Sequence, residues 1–243
     1  MSISSRGTSV IIMVAAAYWW TVFLLMHVLE PEFSPIRAPG SAYVLGTYGA
    51  WMTTTYFVLS AALVSARLGL TTKLAVTTWT WVAGLAFLIA AAGATLAGLF
   101  PMDFPPPPRT LSGRLHALAG VLTFLPWVLG TSLFSLSIRR DRGWAHHSGT
   151  LVALAVLSIA MVAVLPLSIR FDFAGATQRL LLTLLFGWLI VVALHLMRSR
   201  PGGDEAPPNE LRILVAREPR QNPGLDEIRA RTLRLEMSTG GGV

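Results

Sequence analysis

The chain has 243 residues, 53% of them hydrophobic and only 13% charged, with a mean hydropathy of +0.61; soluble globular chains carry roughly 25% charged residues. Lipid is therefore the expected solvent. The formal charge of +7 does not signal nucleic acid, because from Arg198 onward eight arginines face seven acids and no basic stripe exists. Cysteine is absent, which excludes a disulfide framework, a thiolate metal site and a cysteine nucleophile.

Six apolar runs are long enough to cross a bilayer: 8–29, 44–66, 74–100, 112–138, 148–169 and 176–197. They define an all-α fold, a six-transmembrane-helix bundle over residues 1–198, followed by a mostly disordered tail over 199–243. The first run is too long for a signal-peptide core and no small-x-small cleavage site follows it. In the third, Ala90, Ala94 and Gly98 repeat every four residues, as do Gly93 and Ala97, and small residues at that spacing let helix backbones approach. That run is the expected centre of the bundle. Pro101 and the four prolines 105–108 form a stiff connector to the fourth run, which Thr110 or Ser112 can cap. Pro126 and Pro166 fall inside the fourth and fifth runs, where kinks are expected. The tail is punctuated by proline and glycine, with short amphipathic stretches near 208–217 and 225–237.

An even number of spans places both termini on one side, and arginine and lysine select which. With the N-terminus inside, Arg6, Arg67, Lys73, Arg139, Arg140 and Arg142 against Asp141 give the inner segments a net +5; the outer loops net +1. Both termini are thus expected in the cytoplasm. Eighteen arginines against one lysine, with abundant alanine, suggest a bacterial genome and hence a bacterial plasma membrane.

This topology sends the unusual polar residues to the outer face: His27, Ser41, Tyr43, Asp103, His116 and Arg179 among them. His116 is the foremost candidate, since it shares a helical face with Gly120, Thr123 and Trp127. Its structural alternative is an interfacial histidine bonded to a loop carbonyl. Asp103 can orient a general-base His116, with Ser41 or Ser34 as nucleophile, although no nucleophile-elbow pattern surrounds either serine. Its alternative is a bond to Arg109 or Arg114. Arg179 can snorkel, pair with Asp172 or Asp103, or hold a lipid phosphate. No metal set is expected: His27 and His116 are a weak pair, and His146 and His147 lie beside three arginines in what reads as a solvated loop. His195 suits a helix C-terminus. No cofactor is expected.

The segments "APGSAYVLGTYGAWMTTTYFVLSAALVSARLGL", "GLFPMDFPPPPRTLSGRLHALAG" and "GATQRLLLTLLFGWLIVVALHLMR" resemble the bacterial membrane family known as domain of unknown function 998. Ser41 and Tyr43, Pro101 and Asp103, Gly113 and His116, and Gly175 and Arg179 occupy its recurring positions. The resemblance implies a six-helix bundle with no established activity. Seven-helix hydrolases built on a serine, an aspartate and three histidines are a distant analogy, and the late His-x-x-x-His pair they carry is missing here.

Three functions compete. The first is a lipid-interacting or lipid-modifying protein whose outer-leaflet pocket gathers Ser41, Tyr43, Asp103, His116 and Arg179, with His27 nearby. The second is a non-catalytic accessory, scaffold or sensor subunit with a membrane-protein partner and an internally paired polar cluster. The third is a small-molecule transporter, disfavoured because the middles of the spans carry no charge.

Overall fold

In a computed structural model of the chain, residues 5–105 and 107–198 are described, and their regular structure is entirely helical. Six long helices follow in order: α1 (Ser5–Leu29), α2 (Gly49–Thr71), α3 (Thr78–Leu99), α4 (Leu111–Ile138), α5 (Ala145–Arg170) and α6 (Ala174–Arg198). Short 3-10 turns at Gly40–Leu45 and Arg142–Trp144 precede α2 and α5. Each long helix is long and apolar enough to cross a membrane, and the chain is a multi-pass membrane protein. The tail expected over 199–243 lies outside the described residues.

Five spans match the hydropathy reading closely, but the second is displaced from 44–66 to 49–71. The apolar letters of "AYVL" belong to the 3-10 turn, where Tyr43 is buried, and Gly49 sits so close to the Val44 carbonyl that a Cβ there would collide. At the other end α2 carries Arg67 inside the helix, its side chain lying along Gly84 of α3. Hydropathy counts apolar letters; the helix begins where the backbone can turn.

Local chemistry fixes other boundaries. Thr77 and Thr80 form a reciprocal cap at the start of α3, each hydroxyl accepting from the other's backbone N–H at 3.2 and 2.8 Å. Thr110 caps α4 by accepting from Gly113 N at 3.0 Å. Asp141 accepts from Gly143 N and opens the turn into α5, so His146 and His147 stand in the first turn of α5 rather than in a loop. Asp172 takes a left-handed φ of 60° in the turn to α6, a conformation aspartate tolerates. α4 runs unbroken through Pro126 and α5 through Pro166.

The helices form a ring in which each packs beside its chain neighbours, closed by α1 against α6. The small-residue face of α3 meets α4 at close range: a Cβ on Gly93 would lie 2.7 Å from the backbone of Leu122 and Thr123. α3 packs mainly on α2 and α4, and α6 on α5 and α1 with smaller contacts to α2 and α4. Trp188 and Phe186 of α6 reach inward to Phe87, Trp127 and Trp19, with ring centres 4.7–5.9 Å apart. α5 is the least enclosed helix, with only Leu151, Ala155, Ser158 and Ser168 buried.

Candidate functional site

Three groups of polar residues lie at the end of the bundle away from Ser5 and Arg198. Arg179, one turn into α6, is the hub of the first. Its Nε donates to His27 Nε2 at 3.0 Å, Nη1 to the carbonyls of Ala38 and Gly175 at 2.9 and 3.0 Å, and Nη2 to the Tyr43 hydroxyl at 3.1 Å. Four of the five guanidinium N–H groups are thereby engaged. The rings of Phe23 and Tyr43 approach the guanidinium at 5.3 and 5.8 Å, adding cation–π attraction.

The bond from Arg179 settles the His27 tautomer. Nε2 must accept, so Nδ1 carries the proton and donates to the Phe23 carbonyl at 2.7 Å. Neither ring nitrogen remains for a ligand. Burial pushes the Tyr43 hydroxyl pKa up, opposed by the charge and hydrogen bond of Arg179, so Tyr43 stays a neutral acceptor. Backbone fit completes the cluster: Gly175 passes 2.7 and 2.8 Å, measured from an added Cβ, from the carbonyls of Pro35 and Ile36, and Ala176 N donates to Ile36 O. A side chain at 175 would lift the loop off α6.

Arg179 pairs with neither of its expected acids. Asp172 binds Arg37 instead, at 3.1 Å on the exposed surface. Asp103 forms the second group, a staple of the proline connector: its carboxylate accepts from Arg109 N and Thr110 N at 2.6 Å each and from the Thr110 hydroxyl at 2.8 Å. The Thr110 bonds, followed by that from Arg109 N, hold the Asp103 carboxyl below its usual pKa. Its place also explains Gly113, because a Cβ there would strike the carboxylate.

His116 is held by α3, not by Asp103. Its Nδ1 lies 2.7 Å from Phe100 O and 3.2 Å from Ala97 O, and since both partners are carbonyls it must be the donor, leaving Nε2 as the acceptor. The Asp103–His116 relay suggested by the sequence therefore does not form. The two residues sit at opposite ends of the connector, as expected, but each is satisfied by different backbone.

The third group lines a cavity of about 440 Å³ within the ring. His116, Ser41, Tyr56, Gln178 and Thr123 supply its polar groups, with Gly120 opening its wall. The shared face of His116, Gly120 and Thr123 expected from helical spacing is thus real, and Trp127 lies buried a turn beyond. Tyr43, His27 and Arg179 are not among the lining residues. Where α4 meets α5 the wall is apolar, formed by Phe124, Leu125, Val162, Leu165 and Pro166, and Val121, Leu125 and Ile169 line the cavity while remaining 52, 51 and 56% exposed on the lipid-facing surface. The cavity therefore reaches the bundle exterior between α4 and α5.

Sequence reasoning missed Tyr56 and Gln178. Tyr56 holds its hydroxyl oxygen fully buried, near Ser41 but without hydrogen-bond geometry. Gln178 was visible in principle, as the sole carboxamide in the first 198 residues; its Oε1 accepts from Gly40 N at 2.7 Å. Glu30 is buried against Gly46 and accepts from Tyr48 N at the start of α2, a favourable place for a carboxylate. At the opposite end His195 stacks on Trp144 at 3.6 Å and meets His147 edge-on. Among the described residues no cluster of acids and histidines is arranged to hold a metal.

Fold and site together define an integral membrane bundle of six helices with a laterally open internal cavity. The chain belongs to the family of proteins of unknown function DUF998, whose profile matches residues 13–195. No curated protein and no solved structure matches it.

Proposed function

We propose that this protein binds a membrane amphiphile in the cavity, chain toward the gap between α4 and α5 and head toward Ser41, His116 and Gln178. The observation that carries the reading is the combination of a cavity reaching the exterior between two lipid-facing helices and a polar wall at its inner end. Its volume lies within the range of about 300–1,000 Å³ typical of small-molecule sites. The arginine and lysine asymmetry supports an outer-leaflet position for this end of the bundle in this reading. Binding is favoured over hydrolysis, since no hydrogen bond joins Ser41 to His116 among the described residues and Asp103 is engaged in the connector.

Gly120 supplies the test. An added Cβ meets nothing within 4 Å, so a larger side chain there enters the cavity without striking the backbone. Native mass spectrometry from mild detergent is expected to show a discrete lipid adduct on the wild type, lost in Gly120→Leu and reduced in His116→Ala, with Gly120→Leu retaining its thermal midpoint. Equal adducts on wild type and Gly120→Leu, or none on either, would defeat the reading.

A further inference from the structure

We propose that the cavity selects an uncharged, hydroxyl-headed amphiphile, such as a long-chain alcohol or a monoacylglycerol, over phosphate- or carboxylate-headed relatives of the same chain. This rests on reading the cavity as an amphiphile site and specifies its ligand class. The first observation is charge. No aspartate, glutamate, lysine or arginine lines the cavity. Arg179, the cation adjacent in sequence to the lining Gln178, is withheld by its four protein partners. An anionic head inside would have no countercharge, and a buried unpaired charge is among the most costly things a protein can hold. A cationic head would find no carboxylate.

The second observation is the hydrogen-bonding character of the polar wall. Gln178 has its Oε1 committed to Gly40 N, which leaves its amide N–H groups as donors. The Tyr56 hydroxyl is sealed in the wall beside Ser41 and is not presented to the cavity. Ser41 adds a hydroxyl that both donates and accepts. His116 presents the opposite polarity: with Nδ1–H given to Phe100 and Ala97, its Nε2 lone pair is the acceptor. A ligand hydroxyl satisfies both kinds at once, accepting from Gln178 or Ser41 and donating to His116. A phosphate or carboxylate has no proton for His116 and places its charge against that lone pair. The third observation is size, because about 440 Å³ is near the lower end of ligand sites and suits one chain with a compact head.

The test is a native mass-spectrometry titration of detergent-purified full-length protein with four probes sharing an oleyl or oleoyl chain. Oleyl alcohol and monooleoylglycerol are the uncharged probes; oleic acid and oleoyl lysophosphatidic acid, at about pH 8 where both are ionised, are the anions. The uncharged probes are expected to bind at least roughly tenfold more tightly, and Ser41→Ala to weaken them roughly tenfold by deleting one hydroxyl. Should Ser41→Ala not fold, Gln178→Met makes the same comparison. Equal or tighter binding of the anions, still abolished by Gly120→Leu, would overturn the head-group assignment and leave the amphiphile site standing. Failure of all four probes to bind, or binding indifferent to Gly120→Leu, would overturn both.

Discussion

The Arg179 cluster and the cavity wall lie side by side at one end of the bundle, and they use polar residues in opposite ways. Around Arg179 each donor in use meets an acceptor within the protein, so His27, Tyr43 and the Ala38 carbonyl are locked to α6. At the cavity His116 and Gln178 are each tied on one side only. A polar residue near a span end is therefore not by itself a sign of function. What separates strut from site is whether the protein has already satisfied it.

Removing the hub should separate the two regions most clearly. Arg179→Met strips partners from His27, Tyr43 and two carbonyls together, a loss of roughly 3 kcal/mol in equilibrium unfolding. Arg179→Lys should rescue little, because a single ammonium cannot reproduce the fork. A near-wild-type unfolding curve for Arg179→Met would show that the cluster is not a strut.

Two glycines give a sharper contrast at the same residue type. Gly175→Ala drives a Cβ into the carbonyls of Pro35, Ile36 and Ala38 and should cost about 2 kcal/mol. Gly120→Ala meets open space and should be neutral or stabilising by up to about 1 kcal/mol, as alanine is the better helix former. Thermal unfolding of the pair in one detergent checks the sign of each; Gly120→Ala more destabilising than Gly175→Ala would contradict the packing described.

His116→Ala should cost only about 1 kcal/mol, since it gives up the bonds to Phe100 and Ala97, while reducing retained lipid far more than Arg179→Lys does at equal folded fraction. Adduct intensity measured beside thermal midpoint distinguishes the two effects.

The smallest effect belongs to Asp103, an exposed staple. Its folded-state pKa is depressed, so its contribution is present above the unfolded carboxyl value of about 4 and disappears as pH falls through the lower folded value. The midpoint difference between wild type and Asp103→Asn should narrow as pH drops from neutrality into that acid window. A difference independent of pH would show that the carboxylate charge plays no part in holding the connector.

Much of this architecture can be read from letters alone. Six runs, their order and the polar residues at their ends follow from hydropathy, because lipid requires each crossing segment to be apolar and internally hydrogen-bonded. The displaced second span shows the limit: apolar composition does not distinguish a helix from a buried 3-10 turn. His116 with Gly120 and Thr123 was legible because helical periodicity alone sets a shared face. The pairing of Asp103 with His116 was not, since nearness in sequence across a connector says nothing about which backbone groups stand closer. Arg179 with His27 spans 152 positions, a contact no local pattern encodes.

The sequence by itself determined that this is a membrane protein, how many times it crosses, and which residues resist lipid. Those properties depend on one residue, or one turn, at a time. Only the tertiary structure decided that Arg179 is spent and His116 is not, and that Tyr56 and Gln178 join the cavity. Each of those depends on distances between helices, set by the packing of side chains far apart along the chain.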